Sequence, residues 1–159
     1  MKLIAVSGSV CSGKTTLAKE LAEKLDYEYI DVLGIVKSNP KVIESFDEIL
    51  DTRNVDVDKL NDLLSSVFEE NKNYVVDSHM SHFLPKVNVC VIMKCDLKVL
   101  KKRLTERGYS EKKIEENLQA EILDSCLIEA LENKHSIVVV ESTDGVDINS
   151  VISSVKDKL

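Results

Sequence analysis

Near the N-terminus, glycine, lysine and hydroxyl residues recur at a spacing suited to holding phosphate groups. Residues 8–15 read GSVCSGKT, which matches the pattern GxxxxGK[ST] in full. When such a loop joins a strand to a helix, its backbone N–H groups curl around phosphates and the helix N-terminus adds partial positive charge. The lysine can then reach the β- and γ-phosphates, and the final hydroxyl can ligate Mg²⁺.

A strand-like apolar segment precedes this loop and an amphipathic segment follows it, so a chance glycine-rich turn is a weak alternative. We therefore predict a P-loop that binds ATP with Mg²⁺. Lys14 is expected to be catalytic, and Thr15 to ligate the metal. The residues expected to bind the nucleotide here are Gly8, Cys11, Ser12, Gly13, Lys14, Thr15 and Thr16.

A carboxylate and an imidazole follow a short apolar run in the middle of the chain. Asp77 ends the run 74–76, YVV. In a P-loop protein, a carboxylate at such a strand end can face the loop and hold Mg²⁺ through water. His79 points to the same side if the chain stays extended, where it either acts on an attacking water or braces Asp77. His82 has no such placement and is expected at the surface.

Arginine is scarce, and two of the three arginines, Arg103 and Arg107, lie four residues apart and share one helix face. Guanidinium groups suit phosphoryl oxygens and stabilise charge that develops during transfer, which is the role expected of Arg103. The alternative is a solvated helix end that favours cations. Gly108 and a capped helix start follow, which indicates either a mobile cover over the nucleotide or a plain turn.

Alternating apolar patterns predict the elements that position these residues. Strands are expected at 2–7, 27–31, 74–76, 87–94 and 137–140, and helices at 14–25, 58–71, 96–107, 110–133 and 147–159. Residues 32–57, broken by Gly34 and Asn39-Pro40, are expected to form a small helical insertion. This order indicates a doubly wound α/β fold with a parallel sheet, in which ligands bind beyond the carboxyl ends of the strands.

Length and charge restrict the function further. The 159 residues include 5 Gly and 2 Pro, with no low-complexity linker, so we expect one domain over 1–159. The net charge of −7 disfavours binding to nucleic-acid backbones. No apolar run can cross a bilayer, and the apolar segment 2–6 is too short for a signal peptide, so a cytoplasmic protein without a membrane partner is expected. The four cysteines form no CxxC pair.

Three motifs together resemble one family, the atypical adenylate kinases of archaea, whose eukaryotic members include the coilin-interacting nuclear ATPase. They are the loop 8–15, the segment 74–79 (YVVDSH) with 83–85 (FLP), and the segment 103–114 (RLTERGYSEKKI). The resemblance covers nearly the whole chain. The Asp-x-His pair and the Arg-Gly-Tyr-x-Glu-Lys-Lys run are specific to this group, and ordinary adenylate kinases lack them.

The resemblance implies a five-stranded P-loop NTPase fold of the nucleoside monophosphate kinase type. It implies transfer of phosphate from ATP to AMP or another nucleoside monophosphate, giving two ADP with AMP, together with Mg²⁺-dependent ATPase activity. It further implies a role in maturation of the small ribosomal subunit, through transient contact with a platform ribosomal protein. Sequence-specific nucleic-acid binding is not expected.

The resemblance also assigns residues. Asp77 and His79 would act with Mg²⁺ and in hydrolysis, and Arg107 would contact the nucleotide from a lid at about 106–117. An insertion at about 30–53 would accept the monophosphate, with Lys37 where the family typically has arginine. Cys11 replaces a common glycine, so we expect its φ angle to stay negative.

A second hypothesis is a nucleotide-switched ribosome-assembly ATPase with little kinase activity. ATP occupancy would then control binding to the ribosomal protein, and hydrolysis would release it. The two hypotheses are compatible, because a lid ordered by the γ-phosphate can report it to a partner.

Overall fold

In the part of the chain that the computed structural model describes, residues 1–47 and 52–159, five parallel strands form the central sheet in the order β2-β5-β1-β6-β7. The strands are β1 (Leu3–Gly8), β2 (Glu28–Asp31), β3 (Ile43–Asp47), β4 (Thr52–Val55), β5 (Tyr74–Asp77), β6 (Val89–Lys94) and β7 (Ile137–Glu141). The helices are α1 (Lys14–Leu25), α2 (Val32–Ser38), α3 (Val57–Val67), α4 (Leu97–Glu106), α5 (Glu111–Ile122), α6 (Ser125–Glu132) and α7 (Ile148–Lys156).

Alternate residues of a strand point to opposite faces of the sheet, and all residues of β1 are buried. Helices therefore cover both faces. Ile4 and Val6 of β1 pack with α1 and α7 on one face. Leu3 of β1 joins the cluster with α2 and α3 on the other face, and Ala5 packs beside α6. The predicted doubly wound five-stranded α/β fold is confirmed. None of the helices in the described ranges has the length and apolar character needed to span a membrane.

The insertion after β2 differs from the prediction of a purely helical segment. Helix α2 ends at Ser38, since Pro40 cannot continue the hydrogen-bond ladder, and a single 3₁₀ turn follows at Pro40–Val42. Strands β3 and β4 then pair with each other in antiparallel orientation, which satisfies their backbone groups outside the main sheet. Part of the insertion predicted at 30–53, namely residues 48–51, lies outside the described residues.

The prediction of one long helix at 110–133 was also wrong, because the structure divides this segment into α5 and α6. Asp124 adopts a left-handed backbone conformation, with φ 52°, between the two helices. The Lys94 ammonium, at the end of β6, donates to the Glu121 carbonyl at 3.0 Å and also to the Asp124 carboxylate. A charged donor from another element therefore caps α5, and an amphipathic pattern within 110–133 cannot reveal it.

The loop between β1 and α1 begins at a very close backbone contact. Gly8 pairs with Met93 of β6, and a Cβ on Gly8 would lie 2.5 Å from the Met93 carbonyl oxygen. Gly8 and Gly13 both have positive φ, 139° and 92°. Cys11 does as well, with φ 65°, so the expectation of a negative φ was wrong. Its side chain packs against the apolar cluster of α4 and α5, and this contact offsets part of the backbone cost.

A comparison of Cys11→Gly with Cys11→Ala isolates that backbone cost. Alanine keeps a Cβ at positive φ and glycine has none, so Cys11→Gly should be the more stable of the two variants by about 1 kcal/mol. At Ala120, inside α5, glycine should instead be the less stable residue. Ala120→Gly should lower the free energy of unfolding by about 1 kcal/mol. Urea titrations measure each free energy of unfolding. Equal stability of the two position-11 variants would show that the positive φ costs nothing.

Candidate active site

The loop 8–15 leaves the carboxyl end of β1 and enters α1, a helix of 12 residues. Gly13 is the N-cap residue and supplies no side-chain hydrogen bond to the helix. The N–H groups of the first helical turn are therefore not capped by a side chain. Thr15 and Thr16, in that first turn, are exposed. This helix terminus can receive an anion.

Lys14 is half-buried, and its ammonium donates to the Ser9 carbonyl at 2.8 Å. Burial lowers the pKa of Lys14, and the nearby Asp77 carboxylate opposes that decrease. Ser12 is fully buried, and its hydroxyl is the buried side-chain oxygen left without a partner in the described part of the chain. Such an orphaned donor in the loop that carries this cation fits a phosphate group, which would give it an acceptor. The residues present therefore fit ATP phosphates.

Asp77 ends β5, the strand beside β1, and is aligned with Val6. Its carboxylate is buried and accepts a hydrogen bond from the Tyr29 hydroxyl at 3.1 Å. Burial, and then the charge of Asp77, raise the pKa of the Tyr29 phenol, so the phenol stays protonated and orients the carboxylate. Tyr29 was not among the predicted site residues. Its position on β2, two residues before Asp31, carries no motif that would single it out.

His79 follows in the loop after β5, and its ring reaches solvent. Surrounding protein, and then the Lys14 ammonium, lower the pKa of His79. Contact with water limits the size of that decrease but not its direction, since Lys14 disfavours a second positive charge nearby. His79 is therefore a neutral imidazole at neutral pH, beside the loop lysine.

The prediction that His82 lies at the surface was wrong. The side chain is 1% exposed, because the 3₁₀ turn Ser81–Phe83 directs it inward. Its Nδ1 lies 2.7 Å from the Ser7 hydroxyl of β1, and its Nε2 lies 2.8 Å from the Glu129 carboxylate of α6. The Ser81 hydroxyl donates to the Val6 carbonyl at 2.8 Å. These bonds fasten the loop that carries His79 to the end of β1.

The candidate arginines and Lys37 have different surroundings. The Arg103 guanidinium donates to the Cys11 carbonyl at 3.4 Å and to the Ser142 carbonyl at 3.0 Å. It therefore supports the phosphate loop from its outer side. Arg107 is exposed at the C-cap of α4, and Lys37 is exposed in the last turn of α2. The geometry thus gathers Lys14, Asp77, His79 and Arg103 around the loop, with Arg107 and Lys37 on the exposed surface.

Thr15 and Asp77 are the residues that could hold Mg²⁺, since the metal prefers oxygen ligands. Within residues 1–47 and 52–159, no group of three or more His, Cys, Asp or Glu side chains is arranged to hold a metal ion. Mg²⁺ bound beside phosphates needs few protein ligands, because phosphate oxygens and water complete its shell. One hydroxyl and one carboxylate at the loop are compatible with that mode of binding.

The segment predicted as a lid, 106–117, contains the turn at Gly108 and the first half of α5. Ile114 of α5 and Leu104 of α4 form a buried apolar cluster, and Val10 and Cys11 of the loop pack against it. The Ser110 side chain caps α5 by accepting from the Lys113 N–H. The segment is therefore in direct contact with the phosphate loop.

Comparisons with known proteins identify the family to which the chain is similar. A family model described as "AAA domain" matches residues 4–124. A protein of Thermococcus onnurineus named "Putative adenylate kinase" is 39% identical over 141 residues, covering 89% of this chain and 75% of the relative. "Adenylate kinase isoenzyme 6 homolog" of Caenorhabditis elegans is 38% identical over 141 residues, covering 87% and 77%.

Solved structures support the fold alone, because their sequences are distant. A putative kinase from Chloroflexus aurantiacus aligns with a TM-score of 0.65 at 15% identity, over 99% of this chain and 98% of that one. Shikimate kinase from Bacteroides thetaiotaomicron aligns with a TM-score of 0.59 at 18% identity, over 98% and 95%. By the family match and the identity to its relatives, the chain belongs to the AAA-domain P-loop proteins and, among them, to the family of the archaeal proteins named "Putative adenylate kinase".

Proposed function

We propose that this protein is a nucleoside monophosphate kinase of the adenylate kinase type, which converts ATP and AMP to two ADP and hydrolyses ATP slowly. The observation that carries the proposal is the meeting of the Lys14 ammonium, the partnerless Ser12 hydroxyl and the uncapped start of α1 at one loop. Each of these groups is suited to a phosphate oxygen. The names of the relatives support the choice of AMP as acceptor.

Lys14 would act by exchanging its bond to the Ser9 carbonyl for bonds to the β- and γ-phosphate oxygens of ATP. The ammonium would then stabilise negative charge that spreads over those oxygens during transfer. Ser12 and the N–H groups at the start of α1 would hold the phosphates in line. Bound Mg²⁺, held by Thr15 and Asp77, would neutralise phosphate charge.

His79 and Arg103 would have separate functions. The neutral His79 imidazole, beside Lys14, can accept a hydrogen bond from a water and so orient it for hydrolysis. Arg103 holds the Cys11 carbonyl and would stabilise developing charge from the outer side of the loop. Arg107 would reach the nucleotide from the segment 106–117, and Lys37 would bind the phosphate of AMP in the insertion 30–53.

A second candidate is a nucleotide-switched factor in maturation of the small ribosomal subunit, acting on a platform ribosomal protein in the cytoplasm. Its support is the contact between the segment 106–117 and the loop, through which the γ-phosphate could be sensed, and the net charge of −7, which suits a basic partner. ATP turnover measured with AMP and with the ribosomal protein distinguishes the two candidates. Stimulation by AMP supports the kinase, and stimulation only by the protein supports the switch.

Replacement of Lys14 tests the phosphate loop. Lys14→Ala should lower turnover by about 100-fold or more, because the transition state loses a positioned cation. The midpoint of thermal unfolding should change little, since Lys14 is only half-buried. Lys24→Ala, at the exposed end of the same helix, is the matched control and should keep full activity. A folded Lys14→Ala protein with normal turnover would refute the assignment of the loop.

Paired assays of hydrolysis and transfer separate Asp77 from His79. Asp77→Asn should raise the Mg²⁺ concentration needed for half-maximal activity in both assays, because the metal serves both reactions. His79→Ala should reduce hydrolysis more than transfer to AMP, since the acceptor brings its own phosphate oxygen. Equal losses in the two assays would mean that His79 only supports the site.

Lys37→Arg tests the acceptor site. A guanidinium binds phosphate through two parallel hydrogen bonds, whereas an ammonium is a compact charge. If Lys37 contacts the AMP phosphate, the arginine should bind AMP more tightly by about 1 kcal/mol, which lowers KM for AMP roughly fivefold. Hydrolysis of ATP without an acceptor should stay unchanged. Lys41→Arg, at an exposed lysine of the 3₁₀ turn nearby, is the control. The same KM for AMP in wild type and Lys37→Arg would place Lys37 outside the acceptor site.

A further inference from the structure

Glu121 is a buried carboxylate that no motif singled out, and it lies directly behind the phosphate loop. The side chain is at the C-terminal end of α5 and is 6% exposed. Its Oε2 accepts a hydrogen bond from the Ser9 hydroxyl, and its Oε1 accepts from the Cys95 N–H at 3.0 Å. The Lys94 ammonium lies 3.0 Å from Oε1. Three donors, one from the phosphate loop and two from the end of β6 and the residue after it, therefore hold this carboxylate in one position.

Ser9 connects that carboxylate to the loop lysine. Its hydroxyl is held by Glu121, while its carbonyl accepts from the Lys14 ammonium at 2.8 Å and from the Ser12 N–H at 3.2 Å. Ser9 is itself buried, at 7% exposure. A shift of the Ser9 peptide group would move the acceptor of Lys14 and, through Ser12, the middle of the loop. The position of Lys14 thus depends on a side chain of α5.

We propose that Glu121 is a positioning residue for Lys14, acting through the Ser9 hydroxyl. It fixes the loop at its second residue, so that the Lys14 ammonium starts from one defined place when it moves to the phosphates. The proposal rests on the proposed function of the loop as the ATP site.

The charge of Glu121 is compatible with a neighbouring triphosphate because it is neutralised locally. Lys94 bonds to Glu121 and also to the Asp124 carboxylate. The two oxygens of Glu121 are already used by Ser9, Cys95 and Lys94, so they are not directed at the phosphates. A buried carboxylate with such partners serves to hold geometry, because removal of a partner leaves an acceptor unsatisfied.

Variants of Ser9 give the mildest test, because they change one hydroxyl and leave the ion pairs intact. Ser9→Ala should lower kcat for ATP turnover about tenfold while KM for ATP changes less, since a displaced lysine loses contacts made in the transition state. Ser9→Thr keeps a hydroxyl and should restore most of kcat. In the ATP-free protein, amide hydrogen exchange at Ser12 should be faster in Ser9→Ala, a readout that does not depend on activity.

A double-mutant cycle identifies Glu121 as the partner. Glu121→Ala removes the acceptor of the Ser9 hydroxyl, whereas a glutamine amide can still donate to that hydroxyl, so kcat should fall in Glu121→Ala at least as far as in Ser9→Ala. The double variant should be no slower than the slower single variant, because both remove the same contact. Asp124→Asn, which changes another partner of Lys94 and does not touch the loop, is the control and should keep its kcat.

The proposal would be overturned by a kcat within twofold of wild type in Ser9→Ala, or by single losses that multiply in the double variant. Either result leaves the ATP site standing as long as Lys14→Ala is inactive. An active Lys14→Ala protein would instead refute the proposed function of the loop, so the two failures are distinguishable.

Discussion

The close approach of Gly8 to Met93 is the contact on which the site depends. A Cβ at Gly8 would lie 2.5 Å from the Met93 carbonyl oxygen, so only glycine lets β1 stay paired with β6 up to its last residue. The loop therefore leaves the sheet at the end of β6, next to Lys94 and Cys95. This places Ser9 beside Glu121 of α5, whose carboxylate also accepts from the Cys95 N–H just after β6. A looser strand end would separate these groups.

Around that contact, charge is balanced pairwise inside the protein. Lys94 compensates Glu121, and the Asp77 carboxylate lies close enough to Lys14 to oppose the effect of burial on the lysine pKa. Burial still lowers the pKa of Lys14, so this cation gains from a further anionic partner. A phosphate is such a partner. The electrostatic arrangement and the orphaned Ser12 hydroxyl thus point to the same ligand class.

The positions of much of the candidate site were predictable because those residues follow local spacing. The loop pattern located Lys14 and Thr15, and a carboxylate after a short apolar run located Asp77. His82 was misplaced because its burial depends on Ser7 and Glu129, which are distant in the chain. The φ angle of Cys11 was predicted wrongly because its side chain packs against the apolar cluster of α4 and α5, and this packing offsets part of the cost of a left-handed backbone. Such packing is a tertiary contact that the local sequence does not show.

By itself, the sequence determined the order of the main strands and helices, and with it the doubly wound sheet and the phosphate loop at the end of β1. Periodicity and glycine placement are local properties, and they were sufficient for these features. Only the tertiary structure decided where the helix over 110–133 breaks and which side chains hold the loop. Lys94 caps α5, and Glu121 holds Ser9, across 112 residues of chain. Such contacts arise from the packing of separate elements, and no pattern within one element encodes them.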